Sequence, residues 1–301
     1  MQESKLKVAL IQAAPVLFNK EESIKKAAVL IQEAAANGAR LVIFPESFIP
    51  CYPRGLSFGM YVGGAQAGGR EDYKLYYESS VRVPDDLTAI CETAKKHGCY
   101  VSIGVTEREE TSGTLYCTNV FISSSGEYMG KHRKIKPTGA ERCIWGEGGA
   151  EDLIVFDTPF GKMGSLICWE NYMPLARTAL YEKGIELYIA PTADSRKEWQ
   201  ATVRHIAHEG RCFVFSCNQY VTRDMYPENI RTLLEGQIQE LCPGGSCIID
   251  PTGKYLAGPV WHKEEILYAD LDLGKIAAAR LDFDPCGHYS RPDILSLNVT
   301  L

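Results

Sequence analysis

The chain has 301 residues, 45% hydrophobic and 23% charged, with 32 Lys and Arg against 38 Asp and Glu for a formal net charge of −6. This is the balance of a globular protein long enough for a substantial core, and its negative sign argues against nonspecific nucleic-acid binding. No apolar run approaches the roughly 18 residues of a membrane span, and the N-terminal MQESKLK is charged rather than signal-like. The 11 cysteines are odd in number and scattered, which points to free thiols in a reducing cytoplasm.

In chain order, residues 7–12 read as a strand. Residues 20–37 read as a helix, with Ile24, Ala27, Ala28, Ile31, Ala34 and Ala35 at helical spacing and Gly38 as its stop. A strand over 40–44 follows and closes on Glu46. Residues 50–79, rich in Gly and Tyr, read as an irregular excursion; their glycine spacings lack the Lys-Ser/Thr of a phosphate loop. A helix is expected over 85–97 with Gly98 as its cap, then strands over 100–106 and 115–123. Ser124-Ser125-Gly126 makes a tight turn into Tyr128 and Met129, so a hairpin is expected there. A basic run from Lys131 to Lys136 comes next, then strands over 151–157 and 163–168. Pro174 suits the first turn of a helix reaching 183. The remainder reads as a strand over 187–190, a loop, a helix over 198–209, strands over 212–218, 246–250 and 266–270, and a short helix over 273–281. Strands alternating with helices on short connections argue for an α/β layered fold. No internal repeat or linker stands out, so one domain spanning 1–301 is the economical reading.

Three stretches carry chemistry. Cys168 stands where an apolar strand breaks into a helix, and the unpaired N–H groups after such a turn suit a developing anion. Glu46 lies just beyond one strand and the Lys131 to Lys136 cluster beyond another. A base, a cation and a thiol are the parts of thiol acyl chemistry. Taken singly, each has a plainer account: a buried strand-end cysteine, a solvated carboxylate and a charged loop surface. Other constellations are weaker. His205 and His208 are three apart without the HExxH spacing, so helix packing or a surface position accounts for them better than a metal. Cys212/Cys217 and Cys242/Cys247 lack CxxC spacing, and no GxSxG occurs. Tyr52, Trp145 and Trp199 fit a pocket wall or the core equally well.

The strings FPESFIPCYPRG, HRKIKPTGAER and CWENYMPLAR closely resemble the three signature segments of the nitrilase superfamily of carbon-nitrogen hydrolases. Further matches are RHIAHEGRCFVFSCNQ, GGSCIIDPTGKYLAGP and GHYSRPD, so the resemblance runs from Val8 to Asp293. Glu170, two residues after the thiol, and the KPTGAER string resemble the true nitrilase branch more than the amidases. The resemblance implies a four-layer α-β-β-α sandwich. It implies Cys168 as nucleophile, Glu46 as general base, Lys134 as catalytic lysine and Glu141 as a second acidic residue near the thiol. Tyr52, Trp145, Trp169 and Thr192 are the expected substrate contacts, and Glu170 either orients the turn or acts directly. The implied reaction converts an organic nitrile and water to a carboxylic acid and ammonia through a cysteine thioimidate and thioester, with no metal or organic cofactor. The expected setting is a cytoplasmic homodimer or modest homo-oligomer, with neither nucleic acid nor membrane as partner.

Three alternatives stay open: an amidase, a cyanide-hydrolysing relative with the same Glu-Lys-Cys set, and a non-catalytic binding or scaffold protein. Two departures from the pattern are visible. Cys51 stands where many relatives carry Gly, which alters the pocket or adds a second reactive thiol. The chain also ends soon after GHYSRPD, which puts the large filaments of longer-tailed relatives in doubt.

Overall fold

The first strand already encodes the layering. In β1 (Lys5–Gln12), Leu6, Val8 and Leu10 face one core while Ala9 and Ile11 face another. A strand buried on both faces must have a layer on each side. In the computed structural model, which describes residues 3–300, that requirement is met by two stacked sheets with helices outside them.

The first sheet has the order β15-β1-β2-β5-β6-β7, with β2 (Leu41–Ile43), β5 (Tyr100–Arg108), β6 (Leu115–Ile122), β7 (Tyr128–Arg133) and β15 (Glu265–Asp272). Strands β1, β2 and β5 are parallel; β6 and β7 form the expected hairpin, and β5 joins them antiparallel on the other side of β6. The second sheet runs β12-β13-β11-β10-β9-β8, and β14 pairs with β13. Its strands are β8 (Val155–Thr158), β9 (Gly161–Ser165), β10 (Leu187–Ile189), β11 (Phe213–Ser216), β12 (Tyr220–Thr222), β13 (Glu240–Ile249) and β14 (Tyr255–Trp261). Leu6, Val8 and Leu10 meet Met163, Leu187, Phe213 and Ile248 between the sheets.

Outside the first sheet lie α1 (Lys20–Ala36) and α3 (Thr88–His97), which bury Ala27, Ile31, Ala34, Ile90 and Ala94. Asn19 caps α1 by accepting the Glu22 N–H at 3.0 Å, and Gly38 ends it at φ +86°. Outside the second sheet lie α4 (Pro174–Glu182) and α5 (Lys197–Gly210), packed through Ala176, Leu180, Trp199, Val203 and Ile206. The α-β-β-α sandwich implied by the resemblance is therefore the observed architecture. No helix among the described residues is long and apolar enough to cross a membrane.

Several elements differ from the sequence expectation, the unforeseen β12 and a short helix over Glu228–Arg231 among them. The excursion over 50–79 contains a small ribbon, β3 (Met60–Tyr61) with β4 (Gly64–Ala65), and a helix, α2 (Gly69–Ser79). Its apolar face is built from tyrosines, with Tyr73 and Tyr76 against Phe58, and the helix's five charged residues hide that pattern. Residues 150–152 form a 3₁₀ turn instead of the start of a strand, because the Asp152 carboxylate accepts the Gly149 N–H at 2.8 Å. Strand β14 is absent from the sequence reading because it contains Gly258 and Pro259; an edge strand tolerates proline.

Candidate active site

The carboxyl ends of β2, β7 and β9 open toward one place, and each delivers one of the expected residues. Glu46 follows β2, on a turn that runs unusually close to β5. A Cβ on Gly104 would lie 2.1 Å from the Pro45 carbonyl oxygen and 2.6 Å from the Ser47 nitrogen, so only glycine fits there. Gln219, just beyond β11, reaches across from the second sheet and donates to the Glu46 and Ser47 carbonyls at 2.9 and 3.1 Å. Lys134 follows β7. Its own N–H donates to the Cys117 carbonyl at 2.8 Å, which fixes where the side chain starts.

Cys168 opens a 3₁₀ turn (Cys168–Tyr172), separated from β9 by two residues, with φ +52°. A non-glycine residue in the left-handed region costs about 1–3 kcal/mol unless its surroundings impose it. Here they do: Cys168 N–H donates to Pro191 at 2.8 Å, and Asn171 Nδ2 donates to the Leu166 and Cys168 carbonyls, both at 2.8 Å. The Sγ accepts a hydrogen bond from Thr192 Oγ1 at 3.1 Å.

At the centre lies a buried ammonium between two carboxylates. Lys134 Nζ is 2.7 Å from Glu46 Oε1 and 2.8 Å from Glu141 Oε2. Glu141 also accepts from Tyr52 Oη and from the Thr138 N–H, both at 2.7 Å. Lys134 and Glu46 are almost wholly removed from solvent, at 0% and 1% exposed. At that depth the charges interact strongly and each must be matched. Burial works against the Lys134 charge, but Glu46, Cys168 and Glu141 outweigh it and hold the ammonium well above the ordinary lysine range. Burial raises Glu46 above the usual carboxylate range, and Glu141 adds to this while Lys134 opposes it. Burial, then Glu46, push the Cys168 thiol up to about 12 against the pull of Lys134. The resting group is therefore a thiol, and attack requires a base. Glu46 Oε2 is buried with no hydrogen-bond partner among the described residues, so one of its oxygens is unengaged.

Glu170 turns away from this centre. Its carboxylate accepts from the Ile135 N–H at 2.7 Å, the Ile167 N–H at 2.6 Å and His132 Nε2 at 2.9 Å. It ties the Cys168 turn to the chain around Lys134, a positioning arrangement between the two signature strings. Burial disfavours charge on His132, yet Glu170 outweighs it and raises the imidazole above its ordinary value of 6.5. A raised folded value means stabilisation that is complete below the ordinary value and fades as pH climbs through the folded one. We expect Glu170→Gln to lower stability by about 3–5 kcal/mol where His132 is charged. The melting-temperature gap between wild type and Glu170→Gln should narrow as pH rises above about 6.5. A gap that stays constant across that range would show that His132 carries no charge in the folded protein.

The centre opens through a cleft of about 410 Å³, whose walls include Cys168, Glu141, Tyr52 and Trp169. Of the expected substrate contacts, Tyr52 and Trp169 line this cleft. Trp145 stands behind Tyr52, edge-on at 5.7 Å, with Lys134 Nζ 5.9 Å from its ring. Thr192 is buried and faces the thiol. Trp199 is core, donating to Ser216 Oγ at 2.8 Å. Cys51 is fully buried and lies outside the cleft lining, and burial raises its thiol far above the ordinary range, so it is not the second reactive thiol the departure suggested. His205 pairs with Glu209 at 3.4 Å and His208 with Arg211 at 3.2 Å. Arg54, Thr138, Asp194, Arg196 and Leu241 also line the cleft and were not singled out in the sequence. Arg54 was visible within CYPRG, but nothing local marks an arginine as facing inward.

The protein matches the family model described as carbon-nitrogen hydrolase over residues 7–281. It is 48% identical to a bifunctional nitrilase/nitrile hydratase of Lupinus angustifolius, over 98% of this chain and 86% of that protein. It is equally 48% identical to an aliphatic nitrilase of Sinorhizobium fredii, over 98% of this chain and 96% of that one. The crystal structure of the C. elegans NitFhit protein superimposes with a TM-score of 0.76 at 20% identity, covering 100% of this chain and 68% of that chain. With the family model spanning most of its length and relatives of this similarity covering nearly all of it, the chain belongs to the carbon-nitrogen hydrolase family.

Proposed function

We propose that this protein is a nitrilase, acting through Cys168, Glu46 and Lys134 within one carbon-nitrogen hydrolase domain, residues 1–301. The observation that carries the reading is the buried Lys134 ammonium, bonded to Glu46 and Glu141 and electrostatically coupled to the Cys168 thiol. Glu46, with its raised proton affinity and an unengaged oxygen, takes the thiol proton as sulfur adds to the nitrile carbon. The proton passes to nitrogen, giving a thioimidate. Negative charge building on that nitrogen meets the Lys134 ammonium and the backbone N–H of Trp169, in the first turn after the thiol.

Water, deprotonated by Glu46, adds to the thioimidate. Ammonia leaves with the returned proton, and a second water releases the acid and restores the thiol. Glu141 holds Lys134 toward this path. Thr192 donates to sulfur and stabilises it as its proton leaves. If the tetrahedral intermediate expels sulfur instead of ammonia, the product is the amide, so a minor amide yield is expected. We read the cellular setting as cytoplasmic, supported by eleven unpaired cysteines. A homodimer or modest homo-oligomer is the expected assembly, testable by light scattering.

An amidase would use the same three residues. What favours the nitrilase is that relatives at 47–48% identity are named nitrilases. The two reactions differ in the first addition, to a linear nitrile carbon or a planar amide carbon. We expect kcat/KM for a good nitrile to exceed that for its own amide by at least about a hundredfold, roughly 2.7 kcal/mol. Ammonia release from a panel of nitriles and matching amides measures this; amides proving better throughout would replace the reading with an amidase.

A further inference from the structure

Among the groups around the cleft, one charge has no answer. Glu141 is held by Lys134, Tyr52 and Thr138. Asp194 is held by Arg196 and by Trp169 Nε1, the latter at 2.8 Å. Arg54, half-buried in the wall, has no carboxylate partner among the described residues. Its guanidinium lies 5.0 Å from the Tyr52 ring centre, and Nη2 donates to the Ala193 carbonyl. Its Nε is buried with no hydrogen-bond partner. An arginine stays charged at every working pH, and removing its donors from water is costly unless an anion meets them. The anchor to Ala193 places the cation one residue from Thr192, which itself touches the Cys168 sulfur. Leu241 and Pro243 supply apolar wall in the same cleft.

We infer that the cleft selects nitriles that carry a carboxylate at the far end of a short aliphatic chain, with Arg54 binding that carboxylate. This rests on the nitrilase reading and names its substrate class. The chain lies along Leu241 and Pro243, the nitrile carbon meets Cys168, and the planar carboxylate takes the unused donors of the guanidinium fork.

The test compares a linear ω-cyanopropanoate with its neutral analogue of the same shape, in which an isopropyl group replaces the carboxylate. Wild type should show kcat/KM at least about thirtyfold higher for the cyano acid, in keeping with a charge-assisted pair made in one complex and absent in the other. In Arg54→Gln that ratio should collapse to about one, and Arg54→Lys should restore part of it; an arginine that only braces the Ala193 loop would leave the ratio unchanged. A second measurement needs no variant: propanoate should compete with the neutral nitrile in wild type, and propanamide should compete far less. Ammonia from the neutral nitrile at an equal or greater rate, a ratio unmoved in Arg54→Gln, or equal inhibition by the acid and its amide would each overturn the inference and leave the nitrilase reading standing. Ammonia from neither nitrile, with turnover of other nitriles in the panel, would overturn this inference alone; ammonia from no nitrile in the panel would sink the nitrilase reading, and this inference with it.

Discussion

Cys168→Ala and Cys168→Ser are expected to lose nitrile turnover by at least about 10⁴-fold while the protein stays folded. Of the two thiols beside Glu46 and Lys134, Cys168 lines the cleft and forms the thioimidate, whereas Cys117, 3.5 Å from Glu46 Oε1, lies outside the lining. Serine keeps the hydrogen bond to Thr192 but offers a much poorer nucleophile for the same addition. Folding is held by other atoms. The turn at φ +52° is fixed through the backbone of residue 168 and the Asn171 side chain, which both variants retain. A stability change of about 1 kcal/mol is expected, visible as a small shift in melting temperature. Intact-protein mass spectrometry during turnover should place an acyl adduct on the Cys168 peptide and none on Cys51, which is fully buried. Near wild-type ammonia release by either variant would remove Cys168 from the mechanism.

Lys134→Ala and Glu46→Gln should each lower kcat/KM by about 10³-fold or more, and neither loss should add to that of Cys168→Ala, because the three groups act as a unit. The two variants differ in their second effect. Lys134→Ala leaves Glu46 and Glu141 buried without their shared cation, so a stability cost of about 3–5 kcal/mol accompanies the lost activity. Glu46→Gln keeps shape and an acceptor for Lys134, removes the base, and disturbs folding less. Steady-state kinetics paired with thermal unfolding separates the two effects. A Lys134→Ala enzyme within about tenfold of wild type, roughly 1.4 kcal/mol, would mean that another cation serves the thiol.

Reading the chain alone located most strands, helix α1 with its glycine stop, and the break of an apolar segment at Cys168. Those features are local: an alternation of two or a spacing of three and four is written in neighbouring residues. The strings around Glu46, Lys134 and Cys168 identified their family because three ordered motifs constrain far more than one. The basic run from Lys131 to Lys136 shows where local reading stops. By itself it offers several cations. Once β7 extends through Arg133, alternation sends Lys131 and Arg133 outward to Glu107 and sends His132 and Lys134 inward. Helix α2 was hidden for a related reason, since tyrosines rather than aliphatic residues form its packed face.

Other decisions belong to the tertiary structure alone, because they depend on groups distant in the chain. Glu46 and Lys134 are 88 residues apart, yet their ion pair forms because β2 and β7 end on the same edge of one sheet. Gly104 in β5 and Gln219 just beyond β11 set the position of Glu46, and nothing in their own neighbourhoods announces it. The sequence left Glu170 between orienting and acting. The fold turned its carboxylate toward His132, 38 residues upstream, where three donors hold it. Arg54 is the sharpest case. Its charge is legible in the string CYPRG, but whether an opposite charge meets it depends on where Glu141 and Asp194 find their partners, and only packing settles that.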